Sequence, residues 1–429
     1  KIAKIKREVF MAQDAKQPDY VIKHGAPRCQ RFIDQRWLLD QVIRANGIDW
    51  DQPRSFYLSG PCGAEAGADF AGLRARVQKL ADAANAFEAI AKRREARAKE
   101  FEEQGALVSA RDNYFMAAIH WGGAMWTMDE SSEQNCAYNQ RKRECYASYA
   151  RLAANTVEEV WIPFGDTFLP AWFHLPYDYD GGIVPAVVSI PGMDSFKESG
   201  VSLNGDKWLS RGMAVLSIDG PGQYESPLLG IYFSMQKWEK AATAAFDWLA
   251  ARKDVDASRI GVTGTSFGSM FSTISAASES RYKACVVNAP CLEPGCHTIF
   301  QEASPTFKQR FMFMSDIQDE AEFDDFRRLI TWEGYAQKIK VPYLCLTGES
   351  DELSPLAHTE RMFGAMDCPR QLVVYQDSRH AIGTVPSVNM GPFPQGMMAD
   401  WMLARLNDQP IENERWFVEA SGRISKTKL

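Results

Sequence analysis

The sequence predicts an α/β protein, with a mostly parallel sheet of about eight strands, helices on both faces of that sheet, and a helical N-terminal domain before it. Two observations carry this prediction. Before residue 155 the chain is rich in Ala or places apolar residues at helical spacing, and after it short β-branched runs alternate with amphipathic stretches. The change in character predicts a helical domain at 1–154 and an α/β domain at 155–429.

The N-terminal helical prediction rests on the segments 71–104 and 109–128. The first is rich in Ala, and the second carries an apolar stripe along one helix face. The members of this stripe are Tyr114, Ala118, Trp121, Met125 and Met128. We expect the N-terminal helices to cover the carboxyl edge of the sheet.

The strand predictions begin with a hairpin that turns at Gly165-Asp166, and amphipathic helix patterns fill most of the later gaps. The predicted strands lie at 156–164, 167–176, 183–190, 213–220, 259–264, 284–290, 341–348 and 371–376. About fifty residues, 291–340, separate two of these strands and have helical spacing of their own. A connection of this length predicts a helical insertion rather than a plain loop.

Composition excludes several classes of protein. The 429 residues carry a formal net charge of −7, which argues against a nucleic-acid binder. No run of 18 apolar residues and no signal-peptide pattern is visible, so we expect neither a membrane partner nor export. The nine Cys lack metal-ligand spacing, and Cys291 and Cys296 beside His297 have no obvious further ligands. We therefore predict a cytoplasmic protein with reduced thiols, no metal and no cofactor.

A G-x-S-x-G motif at 264–268 is the strongest catalytic signal. It joins a strand candidate that ends at Gly264 to a helix candidate that starts at Ser266, which is the setting of a nucleophile elbow. Glycines two residues on either side remove the Cβ atoms that would collide with a serine in a strained backbone conformation. Ser266 is therefore predicted to be a nucleophile, and the amide of Phe267, at a helix N-terminus, to be an oxyanion donor.

A nucleophilic serine needs a base and a group that orients the base. In the α/β-hydrolase fold the order along the chain is Ser, an acid after one later strand, and His after the next. Asp351 and His380 follow the strand candidates at 341–348 and 371–376 and complete this order. The other candidates for the acid are Glu349, Glu352 and Asp377.

The second oxyanion donor is expected in the loop after the third strand. Pro191-Gly192 makes a tight turn there, so the amide of Met193 is the first candidate and that of Asp194 the next.

Four stretches together resemble a known family of α/β-hydrolases. They are the helical N-terminal half, SIDGPGQYES at 217–226, AAFDWLAARKDVDASRIGVTG at 244–264, and GTSFGSM at 264–270. The family includes bacterial 2,6-dihydroxypseudooxynicotine hydrolase and the fungal polyketide-shortening hydrolases of pigment pathways. The more distant fermentation-respiration switch proteins share the same core pattern. The resemblance covers nearly the whole chain and is most specific from Trp161 to Gly268.

The resemblance implies an α/β-hydrolase fold with the N-terminal helices as a cap over the site. It also implies hydrolysis of a carbon–carbon bond beside a ketone, with Ser266, Asp351 and His380 as the triad. Members use a glutamate of a Lys-Glu pair after the third strand to assist the cleavage, and Lys197-Glu198 matches that pair. Ser199 stands where a second acid would match more closely. The other interpretation of Glu198 is a first-turn carboxylate that stabilises a helix N-terminus.

The substrate pocket is less determined by the sequence. Asp194, Tyr114, His120 and Trp121 are pocket candidates that would suit a flat aromatic or polyketide-like small molecule, although the aromatic ones also fit helix-packing core. An esterase or thioesterase with the same triad is the alternative function, and a non-catalytic regulatory protein on this scaffold is the third hypothesis. Spare apolar faces on the cap helices make a homodimer plausible.

Overall fold

The computed structural model describes residues 18–50, 54–201, 206–383 and 385–429. Its centre is a ten-stranded mixed sheet with helices packed on both faces, which confirms the predicted fold class. The strands are β1 (Val157–Phe164), β2 (Thr167–His174), β3 (Val184–Ile190), β4 (Ala214–Ile218), β5 (Val255–Ser266), β6 (Cys285–Pro290), β7 (Tyr343–Gly348), β8 (Arg370–Tyr375), β9 (Glu414–Val418) and β10 (Ile424–Lys428).

The strand order across the sheet is β1-β2-β4-β3-β5-β6-β7-β8-β9-β10. Strands β3 to β9 run parallel to one another, and the pairs β1/β2, β2/β4 and β9/β10 are antiparallel. The chain leaves β3 to form β4 on one side and later returns to form β5 on the other. In open α/β sheets such a switch point leaves a crevice at the carboxyl ends of the strands, where ligands bind.

Eight of the ten strands occur where the sequence predicts them, and the C-terminal hairpin of β9 and β10 was not predicted. The central strands are easy to identify because a strand buried on both faces is apolar throughout. In β3, six of the seven residues in VPAVVSI are buried. The C-terminal hairpin instead has exposed and half-buried residues with many charges.

Among the described residues, six α-helices precede the sheet. They are α1 (Gln30–Asn46), α2 (Arg54–Cys62), α3 (Gly67–Arg76), α4 (Ala83–Glu103), α5 (Leu107–Met125) and α6 (Glu133–Leu152). The helical segment predicted at 71–104 is broken, because the Asp82 carboxylate accepts hydrogen bonds from the amides of Gln78 and Lys79, both at 3.1 Å. The break lets α3 and α4 pack as separate helices.

The remaining helices lie between or after the strands. They are α7 (Glu225–Leu228), α8 (Met235–Ala250), α9 (Phe267–Ser278), α10 (Pro305–Ser315), α11 (Glu320–Phe326), α12 (Leu356–Ala365), α13 (Pro386–Met390) and α14 (Pro394–Leu406). Helices α10 and α11 lie in the segment predicted as an insertion. Their rings Phe311 and Phe323 pack on Phe300, and Phe311 also packs on Phe267 of α9.

Serine side chains fix where two of the long helices begin. The Ser132 hydroxyl accepts from the amide of Asn135 at 3.4 Å before α6, and the Ser234 hydroxyl accepts from the amide of Lys237 at 3.2 Å before α8. Each bond satisfies one of the amides that a first helical turn leaves without a partner.

Helices α8 and α9 share one face of the sheet, and a stacked ring pair joins them. Trp238 and Phe271 lie with ring centroids 4.3 Å apart and an interplanar angle of 11°. Trp238 is fully buried, and its indole N–H donates to the carbonyl of Pro221 at 3.1 Å. This pair holds α9, which begins directly after Ser266, against α8.

All nine cysteines are free thiols, eight of them buried. Within the described ranges, no helix combines the length and the apolar content that crossing a bilayer requires.

We expect Trp238→Ala to lower the free energy of unfolding by about 3–5 kcal/mol, because a large ring and its stacked partner lose their packing. Chemical denaturation followed by circular dichroism measures this change. Trp37→Ala is the matched control, because Trp37 is 67% exposed, and should change stability by no more than about 0.5 kcal/mol. Equal losses in the two variants would contradict the role of the stacked pair.

Candidate active site

Ser266 ends β5 and immediately precedes α9 in a strained backbone conformation. Its φ of 57° and ψ of −126° lie outside the regions that residues with a Cβ usually adopt. The sharp turn from strand to helix holds the side chain at the carboxyl edge of the sheet. The structure thus gives the G-x-S-x-G motif the strand–turn–helix geometry that the sequence predicts.

Three glycines make room for this turn. A Cβ on Gly264 would lie 2.0 Å from the carbonyl oxygen of Gly268, and a Cβ on Gly268 would lie 2.3 Å from that of Ile190. A Cβ on Gly192 would lie 3.0 Å from the Cβ of Ser266. The first two positions require glycine because the obstructing atoms belong to the backbone, which cannot move aside as a flexible side chain would.

His380 connects Ser266 to Asp351. Its Nε2 lies 3.0 Å from the Ser266 Oγ, and its Nδ1 lies 2.9 Å from the Asp351 Oδ2. The Asp351 Oδ1 accepts from the amides of Leu353 and Ser354, both at 2.9 Å, so the carboxylate is fixed in place. The three predicted triad residues therefore form one hydrogen-bonded chain.

The structure separates Asp351 from the other acidic candidates. The Glu349 carboxylate accepts a hydrogen bond from the backbone amide of Asp377, another of these candidates, at 3.0 Å. The Glu352 carboxylate accepts a hydrogen bond from the backbone amide of His380 at 2.9 Å. It therefore holds the main chain of the histidine rather than its ring. The sequence analysis did not foresee this second role, since nothing in the residue spacing distinguishes an acid that contacts the ring from one that contacts the backbone.

The environment of His380 favours the protonated imidazole. Burial lowers the pKa of His380, but the adjacent Asp351 carboxylate, with Cys291 nearby, outweighs that effect and raises the pKa well above 6.5. A histidine of this kind readily takes a proton from a hydroxyl and holds it for transfer to a leaving group.

The two predicted oxyanion donors belong to segments that lie next to Ser266. Phe267 is the first residue of α9, so its amide belongs to the first helical turn. Met193 follows Gly192, which touches Ser266. The Gln223 side-chain amide donates to the carbonyl of Pro191 at 2.5 Å and holds this loop against the elbow.

A cavity of about 400 Å³ opens beside the triad. Its wall includes Ser266, His380, Met193 and Asp194. Most of the remaining wall is apolar, and the aromatic side chains in it are Tyr57, Phe87, Trp126, Phe196, Tyr224 and Phe393. A volume and lining of this kind are typical of small-molecule sites.

Three of the predicted pocket residues do not line this cavity. Tyr114 lies in a separate small cluster between helices, His120 is buried 3.6 Å from the Asp69 carboxylate, and Trp121 packs on Tyr138 with ring centroids 5.5 Å apart. The reason is that α5 packs against both α4 and α6 and is buried around its whole circumference, so most of its side chains fill the space between helices. Helix α5 contributes Gly123 to the cavity wall. Trp126, the residue that follows the end of α5, also lines the cavity.

Glu198 also lies outside the cavity wall, in a buried charge cluster of five side chains. The cluster consists of Lys142, Lys197, Glu198, Asp219 and Glu225, each at most 1% exposed. Lys142 and Lys197 bind the two oxygens of Glu198 with N–O distances of 3.0 and 2.7 Å. The Lys197 ammonium also lies 2.5 Å from a Glu225 oxygen and 3.7 Å from Asp219.

The charges in this cluster nearly balance, and Arg143 adds a further cation 3.5 Å from Glu225. Burial alone would raise the pKa of Glu198, but Lys142 and Lys197 lower it to about 2. Burial raises the pKa of Asp219 to about 6 despite the same two lysines. Glu198 is therefore held as the ionised partner of Lys142 and Lys197.

The buried charge cluster is connected to the cavity wall through two rings. The Lys142 ammonium lies 5.1 Å from the centroid of Phe196 and 5.5 Å from that of Tyr224. Asp219 also accepts the amide of Lys197 at 2.8 Å, which anchors the loop that carries Phe196 and Met193. The cluster thus ties α6 to the loop beside the nucleophile.

Cys291 is a neighbour of the nucleophile that the sequence analysis considered only as a metal ligand. Its Sγ lies 3.6 Å from the Ser266 Oγ, and its amide donates to the Ser269 hydroxyl at 2.9 Å. The described part of the chain contains no group of three or more His, Cys, Asp or Glu side chains arranged to hold a metal ion.

Comparisons with known proteins bear on the fold and on the family resemblance. The model of the prolyl oligopeptidase family matches residues 201–407. The crystal structure of a 2,6-dihydroxy-pseudo-oxynicotine hydrolase superposes with a TM-score of 0.71 at 24% identity, covering 83% of this chain and 97% of that one. This likeness confirms the α/β-hydrolase fold.

Two curated relatives extend the comparison. The chain is 27% identical over 349 residues to 2,6-dihydropseudooxynicotine hydrolase of Paenarthrobacter nicotinovorans, covering 78% of this chain and 87% of the relative. It is 28% identical over 203 residues to the 20-hydroxy-prefusarin hydrolase of Gibberella moniliformis, covering 44% of this chain and 48% of the relative. The family resemblance seen in the sequence is confirmed, although the match to the fungal protein spans only about half of it.

We expect Lys142→Met to lower the free energy of unfolding by about 3–5 kcal/mol, because it leaves Glu198 and Asp219 with an uncompensated buried charge. Thermal or denaturant unfolding measures the loss. Lys240→Met removes an exposed lysine from α8 and should change stability by no more than about 0.5 kcal/mol. A Lys142→Met protein as stable as wild type would show that the cluster does not need this cation.

Proposed function

We propose that this hydrolase of the α/β-hydrolase fold uses a Ser266-His380-Asp351 triad to cleave a carbon–carbon bond next to a ketone in an aromatic or polyketide-like small molecule. The observation that carries the proposal is the continuous hydrogen-bonded chain from Asp351 to Ser266 at the wall of an aromatic cavity. In this proposal the helices before residue 155 act as a cap, since their side chains form part of that wall.

The first step is attack on the ketone carbon. His380 takes the proton of the Ser266 hydroxyl, and the Ser266 Oγ forms a bond to the carbonyl carbon. The carbonyl oxygen becomes an oxyanion, which the amides of Phe267 and Met193 stabilise by donating hydrogen bonds. Asp351 keeps the imidazole oriented and stabilises its positive charge.

The second step breaks the carbon–carbon bond. The electron pair of that bond leaves with the departing carbon, so the departing fragment must delocalise it into a second carbonyl or a phenol-type ring. Protonated His380 supplies the proton to this fragment, because Glu198 is ionised and does not line the cavity. Water activated by neutral His380 then hydrolyses the ester on Ser266 and releases an acid.

The cavity supports a flat, unsaturated substrate. Aromatic rings supply much of its wall, and they favour stacking and edge contacts with another ring. The two relatives are named as hydrolases of 2,6-dihydropseudooxynicotine and of 20-hydroxy-prefusarin, which supports a small-molecule substrate here as well.

Ester or thioester hydrolysis is the second candidate, and one observation favours it. An alkoxide or thiolate leaves after accepting a proton from His380 alone, and Glu198, the candidate for a second acid, lies in the buried charge cluster, where it binds Trp172 and Lys142. The two candidate reactions differ only in the bond that breaks in the second step.

The test is to assay wild type and Ser266→Ala on aryl β-diketones and on aryl esters, with a fluorophosphonate probe as a label for Ser266. We expect labelling and hydrolysis in wild type, and a loss of about 10⁴-fold or more in the variant. Diketone turnover supports carbon–carbon cleavage, whereas turnover of esters alone favours the second candidate. A folded wild-type protein that neither reacts with the probe nor hydrolyses either class would rule out both.

The Glu198→Gln variant tests whether Glu198 assists carbon–carbon cleavage, as the family resemblance implies. An equal fall in diketone and ester turnover, together with lower stability, is expected for a group that acts through the buried charge cluster. A selective loss of diketone cleavage in a protein of unchanged stability would show that Glu198 takes part in the carbon–carbon step itself.

We expect the activity to depend on pH through His380. Since the base must be neutral, kcat/KM should rise with pH through a pKa above the 6.5 of free imidazole. Asp351→Asn removes the carboxylate that raises this pKa, so the acidic limb should move to lower pH while kcat falls about 10⁴-fold. A pH–rate profile with the same limb in both proteins would contradict the assignment of Asp351.

A further inference from the structure

A second cavity of about 450 Å³ lies next to the catalytic one, between α1, α4 and α10 and the segment that follows α5. It reaches the surface, because Ala26, Ala81 and Asn85 in its wall are exposed. We call it the outer cavity. The catalytic steps described above do not use it.

Three residues belong to the walls of both cavities: Arg54, Trp126 and Asp194. The Arg54 guanidinium lies 3.8 Å from the ring centroid of Trp126, and its Nη2 lies 3.4 Å from the Asp194 Oδ2. A partition only one ion pair thick therefore separates the two spaces. Asp194 is also the second residue after Gly192, so the partition begins beside the nucleophile.

The far wall of the outer cavity offers polar groups for recognition. Gln309 is 4% exposed, and its side-chain N–H donates to the carbonyl of Pro27 at 2.9 Å. That bond orients the amide, and its Oε1 has no hydrogen-bond partner among the residues that the structure describes. A buried acceptor of this kind is normally satisfied, so it points to a ligand that donates an N–H or O–H.

We propose that the outer cavity is a second subsite for the substrate, which binds the end remote from the scissile bond. The substrate class is then an elongated molecule with a hydroxyl or amide donor at its far end, extending past the Arg54–Asp194 pair. This inference rests on the proposed function and adds the length and the polarity of the substrate to it. Ala84 and Gln309 would determine specificity, since both line the outer cavity.

The first test uses two series of aryl esters, one lengthened in the acyl part and one in the alcohol part. In one of the series, we expect wild-type kcat/KM to rise at least about tenfold from the shortest to the longest member. Ala84→Trp fills the outer cavity and should abolish this preference while leaving the shortest ester within about twofold of wild type. Ala89→Trp, also on α4 but outside the cavity wall, is the matched control and should keep the preference.

The second test compares long esters with and without a terminal hydroxyl. We expect wild type to prefer the hydroxylated ester by about fivefold, which is the ordinary contribution of one hydrogen bond. Gln309→Leu should lose that preference and keep its activity on the ester without the hydroxyl. For both variants, activity on the short ester is sufficient evidence that the protein has folded.

The outcomes distinguish this inference from the proposed function. If wild type hydrolyses short esters but shows no length preference in either series, the second subsite is wrong and the triad stands. If Ala84→Trp slows short and long esters equally, the outer cavity is an entry path and the subsite is again wrong. If wild type hydrolyses none of the esters or the diketones, the proposed function itself fails.

Discussion

The close approach of three backbone segments around Ser266 is the constraint on which the site depends. The nucleophile is held at positive φ because β5 turns directly into α9, and the turn is possible only where Gly264 and Gly268 leave no Cβ. The same approach brings the end of β3 and Gly192 against the serine. One backbone arrangement therefore sets both the position of the Ser266 hydroxyl and the position of the loop that carries Met193, whose amide is a predicted oxyanion donor.

Buried charges place a second constraint on that loop. The buried charge cluster joins Lys142 of α6 to Glu198 and Asp219, and Asp219 holds the main chain of the loop. Buried ions are stable only with their partners, so the N-terminal helices and the sheet must pack in one relative arrangement for the charges to be satisfied. The cluster therefore fixes the N-terminal helices relative to the carboxyl edge of the sheet.

Much of the fold and of the triad could be predicted because the signals are local or ordered along the chain. The elbow lies within five residues, and Asp351 and His380 each follow a buried apolar strand. The buried charge cluster could not be predicted in this way, since Lys142 and Glu225 are 83 positions apart and each resembles a surface residue in the sequence. Tyr114 and Trp121 do not line the cavity for a related reason, because periodicity shows that a helix has an apolar face without showing which element covers it.

If the protein cleaves a carbon–carbon bond as proposed, the position of Glu198 restricts the kind of substrate. A carboxylate held by two ammonium groups, with a pKa near 2, cannot protonate a departing carbon. In the proposed reaction the proton comes from His380, which transfers it to the departing carbon as the carbon–carbon bond breaks. A simple alkyl carbanion is too basic to leave under these conditions, whereas an enolate or a ring-stabilised anion can. The chemistry therefore requires an acceptor group in the substrate itself, next to the bond that is cleaved.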